Sequence, residues 1–279
     1  MSSLWQNLLE NVDGKRICLG IDPHDALLRQ WSDEHDDLAT AADEGVLPLS
    51  KFSSAVLEVA DNNPRVVAVK PQSAFFEAQG ANGVHILQDC LQSARMRNVP
   101  TILDVKRGDI GSTNLGYAKA YLDSKSPMRA DAITVSPFLG VEALRNVAEF
   151  AAANGRGVFI LCLTSNPEAI SVQLAEYQGR TVARQVFDFA KNFNHEFGIT
   201  CGLVVGATIG GLADDANVPL SEFNGPILSP GVGAQGAGKR ELDTVFRGAR
   251  DKVIPSVSRA VLKLGPNVNS MRDYITELV

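Results

Sequence analysis

Residues 99–113 read Val99-Pro100-Thr101-Ile102-Leu103-Asp104-Val105-Lys106-Arg107-Gly108-Asp109-Ile110-Gly111-Ser112-Thr113. The run from Val99 to Leu103 has the apolar content of a buried strand, and it ends on a carboxylate, an amine and a second carboxylate. Asp104 and Lys106 stand at i and i+2, so a strand projects both from one face. Charges at the exit of a buried strand are costly unless paired. Packing therefore explains Asp-x-Lys-x-x-Asp poorly. The plain alternative is a surface ion pair, with Asp109 as the N-cap of the next helix.

On both sides of this stretch, short apolar runs alternate with helical patterns. Strands are expected at Ile17–Asp22, Val66–Gln72, Thr101–Lys106, Ala132–Pro137, Gly157–Thr164, Thr200–Thr208, Pro226–Gly231 and Lys252–Ser258. Helical patterns fill the intervals, as at 49–60, 84–97, 112–122, 141–153 and 182–197, and a last one covers 268–278. This order predicts an α/β fold, a (β/α)8 TIM barrel forming a single domain over residues 1–279, with a long insertion after the first strand. An open doubly wound sheet is the competing arrangement. Asp22, Lys70, Asp104, Lys106, Ser136, Thr164 and the Gly231 region all fall at strand C-terminal ends, which a barrel gathers on one face. Within the insertion, positions 31–46 carry six carboxylates, Asp33, Glu34, Asp36, Asp37, Asp43 and Glu44. They read as a solvated helix and loop. Positions 166–179, after the fifth strand, are placed to cover the barrel mouth.

Composition narrows the class. The 279 residues are 45% hydrophobic and 21% charged, as in ordinary globular proteins, and the net charge of −6 argues against a nucleic-acid partner. Cys18, Cys90, Cys162 and Cys201 lack paired spacing, and three of them lie in expected strands, so reduced core thiols are expected. No metal-ligand spacing is present. The segment 1–7 has no basic stretch leading into an apolar run, and no window approaches the ~20 apolar residues of a membrane span. A cytoplasmic protein without membrane partners is expected.

A second signal follows the seventh strand: Ser229-Pro230-Gly231-Val232-Gly233-Ala234-Gln235-Gly236-Ala237-Gly238-Lys239-Arg240. Glycines let backbone N–H groups turn toward an anion at close range. Gly233 to Lys239 fits Gly-x-x-x-x-Gly-Lys, but Arg240 stands where a P-loop needs Ser or Thr for Mg²⁺. Barrels commonly bind phosphate with the loops after strands 7 and 8. The eighth strand delivers Arg259, whose planar fork suits phosphate, and Gln235 can add an amide donor.

In these residues the chain resembles the orotidine 5′-phosphate decarboxylase family over nearly its whole length, and its long first connection resembles the longer bacterial branch, type 2. The resemblance rests on Asp104-Val105-Lys106-Arg107-Gly108-Asp109-Ile110, on Lys70 ending the second strand and on Asp22 ending the first. Pro230–Gly236 and Ser258-Arg259 complete it. It implies conversion of orotidine 5′-phosphate to UMP and CO2, the last step of de novo UMP biosynthesis, without metal or organic cofactor. It also implies a homodimer with shared sites. Lys70, Asp104 and Lys106 of one subunit would then meet Asp109, Ile110 and Thr113 of the other. Asp22 would bind ribose hydroxyls, Ser136 the pyrimidine edge, and Gly231, Gly233, Gln235 and Arg259 the phosphate. His24, beside Asp22, matches no motif and reads as a bystander. Related barrels that use Mg²⁺ share Asp-x-Lys-x-x-Asp, but carry an acidic residue on the second strand where Lys70 stands here.

Overall fold

The computed structural model describes residues 3–13, 16–33, 46–233 and 236–278. Eight parallel strands form its centre: β1 (Ile17–Ile21), β2 (Val66–Pro71), β3 (Ile102–Arg107), β4 (Ala132–Val135), β5 (Gly157–Leu163), β6 (Cys201–Val205), β7 (Ile227–Pro230) and β8 (Val253–Val257). Their order in the sheet is β2-β1-β8-β7-β6-β5-β4-β3. The remaining seam, between β2 and β3, is bridged in parallel at Val69↔Thr101 and Gln72↔Asp104. The sheet is thus a closed barrel rather than an open doubly wound layer. All eight expected strands are present. Most end one or more residues early, because the polar, Gly or Pro residues assigned to their C-terminal ends have already left the ladder.

Side chains along each strand divide by parity. One set packs outward against the helices, including Ile17, Leu19, Leu103, Ile133, Val158 and Leu203. The other set fills the barrel interior: Cys18, Ala68, Ile102, Ala132, Phe159, Val204, Leu228 and Ile254. Trp5, on the short helix Leu4–Glu10, closes the bottom of this interior, edge-on to Phe159 at 5.6 Å between ring centroids. A Cβ on Gly157 would sit 2.4 Å from the Trp5 ring, so this close approach needs glycine. Burying the two aromatic side chains here contributes on the order of several kcal/mol.

The helices Val46–Ala60, Gly80–Met96, Gly111–Leu122, Arg145–Ala153, Val182–Phe197 and Val268–Leu278 cover much of the outside. The pattern at 141–153 divides into a 3-10 turn, Val141–Leu144, and the helix Arg145–Ala153. Thr181 starts the helix Val182–Phe197 by accepting the Arg184 N–H, a side-chain cap. The acidic stretch lies largely outside the described residues. After β5 the chain forms the short helix Ile170–Gln173 and a two-residue hairpin, Glu176–Tyr177 with Arg180–Thr181. The four cysteines are free and buried, and burial pushes each thiol up to about 12. No helix among the described residues is long and apolar enough to cross a membrane.

Candidate active site

The inward parity set turns polar toward the strand C-terminal ends. Ala68 is followed on its face by Lys70 and Gln72, Ile102 by Asp104 and Lys106, Ala132 by Thr134, and Ile254 by Ser256 and Ser258. These polar residues line a 250 Å3 cavity at the barrel mouth, together with Asp22, Thr164, Gly231 and Arg259. Its lower wall is apolar, from Leu161, Val204 and Leu228.

Asp104 is the hub. Lys70 Nζ and Gln72 Nε2 each donate to its Oδ2 at 3.0 Å. Lys106 Nζ and Thr134 Oγ1 each donate to its Oδ1 at 2.7 Å. Lys70 also lies 3.8 Å from Asp22 Oδ1, which takes no hydrogen bond from the described residues. The side chains of Lys70 and Asp104 are each 8% exposed, whereas Lys106 is 47% exposed. The buried end of the array is therefore rigidly paired, and the Lys106 ammonium stands at the open side.

Burial would raise the Asp104 carboxyl, but the Lys70 and Lys106 ammoniums, with hydrogen bonds from Lys106 and Thr134, hold it well below the usual carboxylate range. Burial would likewise lower Lys70, and Asp104 and Asp22 instead hold it above the ordinary lysine range. A depressed carboxyl adds stability above its unfolded pKa, and that stability is lost as pH falls through the folded value. Below about pH 4, where the unfolded chain begins to take up a proton that folded Asp104 refuses, wild-type stability should fall with pH. In Asp104→Asn that part of the slope should vanish. Urea titrations at several acidic pH values would measure it, and equal slopes would contradict the assignment.

The loop after β7 approaches the same cavity. Gly231 and Gly233 have φ of +104° and +78°, conformations that favour glycine. A Cβ on Gly233 would come within 2.8 Å of Ala260 Cβ, so the loop lies against the turn that carries Arg259. Gln235 lies outside the described residues. Among the described residues, no group of three or more His, Cys, Asp or Glu side chains is placed to hold a metal ion.

Comparison with known proteins decides the family. The model described as orotidine 5′-phosphate decarboxylase / HUMPS family matches residues 15–274. The chain belongs to this family. A relative from Salinispora tropica named orotidine 5′-phosphate decarboxylase is 47% identical over 270 residues, or 95% of this chain and 91% of the relative. One of the same name from Streptomyces coelicolor is 43% identical over 260 residues, or 92% of this chain and 88% of its own. The solved structure of a candidate orotidine 5′-phosphate decarboxylase from Streptomyces avermitilis superposes with a TM-score of 0.86 at 40% identity, covering 100% of this chain and 94% of that one.

In this member of the orotidine 5′-phosphate decarboxylase / HUMPS family, Asp22, Lys70, Asp104, Lys106, Gly231 and Arg259 come together around one cavity, and Gly233 belongs to the loop at its edge. Asp109, Ile110 and Thr113 do not line it. They stand on the outer rim, where Asp109 Oδ1, among the described residues, accepts its neighbour's N–H, from Ile110 at 2.8 Å. The first cap position of the following helix is Ile110, not Asp109, and it makes no side-chain cap. Ser136 also stays out of the lining. Strand β4 ends at Val135, and the Ser136 N–H just past it donates to Arg107 O at 2.8 Å, the last bond of the β3–β4 pairing. Thr164 presents a hydroxyl instead. It is held by Gln173, which accepts the Thr164 N–H at 2.9 Å and donates to Thr164 Oγ1 at 2.8 Å. The excursion after β5 is thereby pinned to the barrel mouth. Gln72, Thr134 and Ser256 were not singled out as site residues by the sequence, which named Thr164 only as a strand end and Ser258 only as the neighbour of Arg259. Counting in steps of two from the apolar interior residues reaches Gln72, Thr134, Ser256 and Ser258. His24 packs edge-on to Phe75 at 4.3 Å and is not among the cavity-lining residues.

Proposed function

We infer that this chain decarboxylates orotidine 5′-phosphate to UMP and CO2, the closing reaction of UMP biosynthesis. The observation that carries the reading is the buried Lys70–Asp104–Lys106 array at the barrel mouth of a member of this family. Breaking the bond from C6 of the pyrimidine to its carboxyl carbon releases CO2 and leaves the electron pair on C6. A fixed cation beside that carbon stabilises the developing charge without reorganisation. Lys106 is the exposed cation of the array, and transfer of its proton to C6 completes UMP. The amine then regains a proton from water. Lys70 keeps Asp104 ionised, and Asp104 in turn holds the Lys106 ammonium in place. Asp104 and Asp22 already share the Lys70 cation, so the carboxylates do not require a divalent metal for charge balance.

At the other end, Arg259 and the glycine loop are assigned to the phosphate, whose binding energy serves to orient the reacting ring. Asp22, with its unbonded Oδ1, is assigned to the ribose hydroxyls. Arg259→Ala should lower kcat/KM by about 10- to 100-fold, the worth of a charge-assisted hydrogen bond to phosphate, and leave the thermal melt unchanged. An unaltered kcat/KM would refute the assignment.

A second copy of the chain is proposed to complete each site. Asp109 stands on the rim beside Ile110, which is 62% exposed. The adjoining β4 loop exposes Phe138 and Leu139 at 76% and 54%. Large apolar side chains exposed together favour burial by a partner. We also assign the chain as one barrel domain acting in the cytoplasm, in keeping with its four free thiols. The direct test is to mix purified, EDTA-treated protein with orotidine 5′-phosphate and follow the pyrimidine absorbance. Metal-independent formation of UMP is expected. Protein that binds UMP but converts nothing would leave the phosphate site standing and defeat the decarboxylase reading.

A further inference from the structure

Strand β3 does not run evenly to the site. Its pairing with β4 steps from Leu103↔Ile133 to Arg107↔Val135, so four residues of β3 advance against two of β4. Asp104, Val105 and Lys106 occupy this irregularity. Bulges of this kind re-aim side chains and interrupt the ladder of backbone hydrogen bonds. Lys106 takes φ +44°, a conformation that a residue with a side chain adopts only when its surroundings hold it there.

Thr134 on β4 is what holds it. The Lys106 N–H donates to Thr134 Oγ1 at 2.9 Å, a side-chain acceptor in place of a ladder carbonyl. The polarity of the next bond then follows. An amide N–H only donates, so the hydroxyl oxygen accepts it, and the hydroxyl's single proton goes to Asp104 Oδ1 at 2.7 Å. That same carboxylate oxygen accepts Lys106 Nζ at 2.7 Å. The result is a closed ring in which one hydroxyl ties the backbone of Lys106 to the carboxylate that anchors its ammonium. Thr134 is buried, so water is poorly placed to replace it.

We propose that Thr134 is a positioning residue of the decarboxylation, fixing the bulged β3 so that Asp104 and Lys106 converge on the reacting carbon. The proposal rests on the decarboxylase reading above. It makes Thr134 act through Lys106 and Asp104, with no proton transfer of its own.

The test compares wild type, Thr134→Val and Thr134→Ser by kcat and KM for orotidine 5′-phosphate, UMP affinity and thermal melt. Valine keeps the shape and removes the hydroxyl. It should lower kcat by about 10²-fold, because a misaimed donor loses its near-attack geometry, while UMP affinity stays within about threefold. Serine restores the hydroxyl and should return kcat to within about threefold of wild type. The acid limb of kcat should also move to higher pH in Thr134→Val, since Asp104 loses one of its donors while Lys70, Lys106, Gln72 and Asp22 still face it. If the valine chain does not fold, Thr134→Ala removes the same hydroxyl and is judged by the same criteria. A hydroxyl-free variant with near-normal kcat, or a serine variant as impaired as it, overturns the proposal while wild-type turnover leaves the underlying reading intact. Wild type without turnover overturns both.

Discussion

Lys106→Ala is expected to lower the turnover of orotidine 5′-phosphate by at least about 10⁴-fold while leaving the barrel folded. The size of the loss comes from two effects carried by one ammonium: stabilisation of charge at C6 and delivery of the replacing proton. Proton transfer by a positioned group and electrostatic stabilisation are each worth about 10²-fold or more. The fold should survive because the Lys106 side chain is half exposed and its removal leaves Asp104 still bonded to Lys70, Gln72 and Thr134. UMP should still bind, since the substitution leaves Arg259 and the glycine loop, the groups proposed for the phosphate, intact. Circular dichroism, UMP titration and a turnover assay on one preparation would check all three. A variant that retains even a tenth of wild-type kcat would remove Lys106 from the chemistry.

The second large effect concerns the rim. Asp109→Ala should be nearly as inactive as Lys106→Ala, although Asp109 does not line the cavity of its own chain. If Asp109 serves the partner's site, refolding the two inactive variants together should restore activity. Each mixed dimer then holds one site with both residues intact and one with neither. Random pairing makes half the dimers mixed, so about a quarter of wild-type activity is expected in a C2 assembly. The measurement is kcat per site before and after co-refolding, with size-exclusion chromatography to establish the dimer. A mixture no more active than its parents would sink the shared-site arrangement, and a fully active Asp109→Ala would remove the residue from catalysis.

Most of the architecture was legible from period alone. The eight strands, the helices between them and the gathering of charges at strand ends follow from local runs of apolar residues, which encode burial one element at a time. Motif reading also reached Asp22, Lys70, Asp104, Lys106 and Arg259, because charged residues at the end of apolar strands are conspicuous. It passed over Gln72, Thr134 and Ser256, whose hydroxyls and amide are unremarkable beside a turn, and it gave Thr164 and Ser258 no role of their own. Ser136, which the family resemblance assigned to the pyrimidine edge, lies just past the end of β4 and outside the cavity lining of a single chain.

By itself, then, the sequence determined the alternating strands and helices, the strand ends on which the site is built and the charged residues at its centre. Closure into a barrel came from the β2–β3 bridges. Tertiary structure alone decided how those charges are wired. Which lysine takes which oxygen of Asp104, the bulge in β3 and the left-handed Lys106 depend on the register between neighbouring strands. The side-chain bonds that set them reach across 28 to 34 positions of chain, from Lys106 to Thr134 and from Lys70 to Asp104. Periodicity along one strand carries no term for the relative shift of two strands. That shift is settled only when the closed barrel packs its interior and satisfies its buried polar groups.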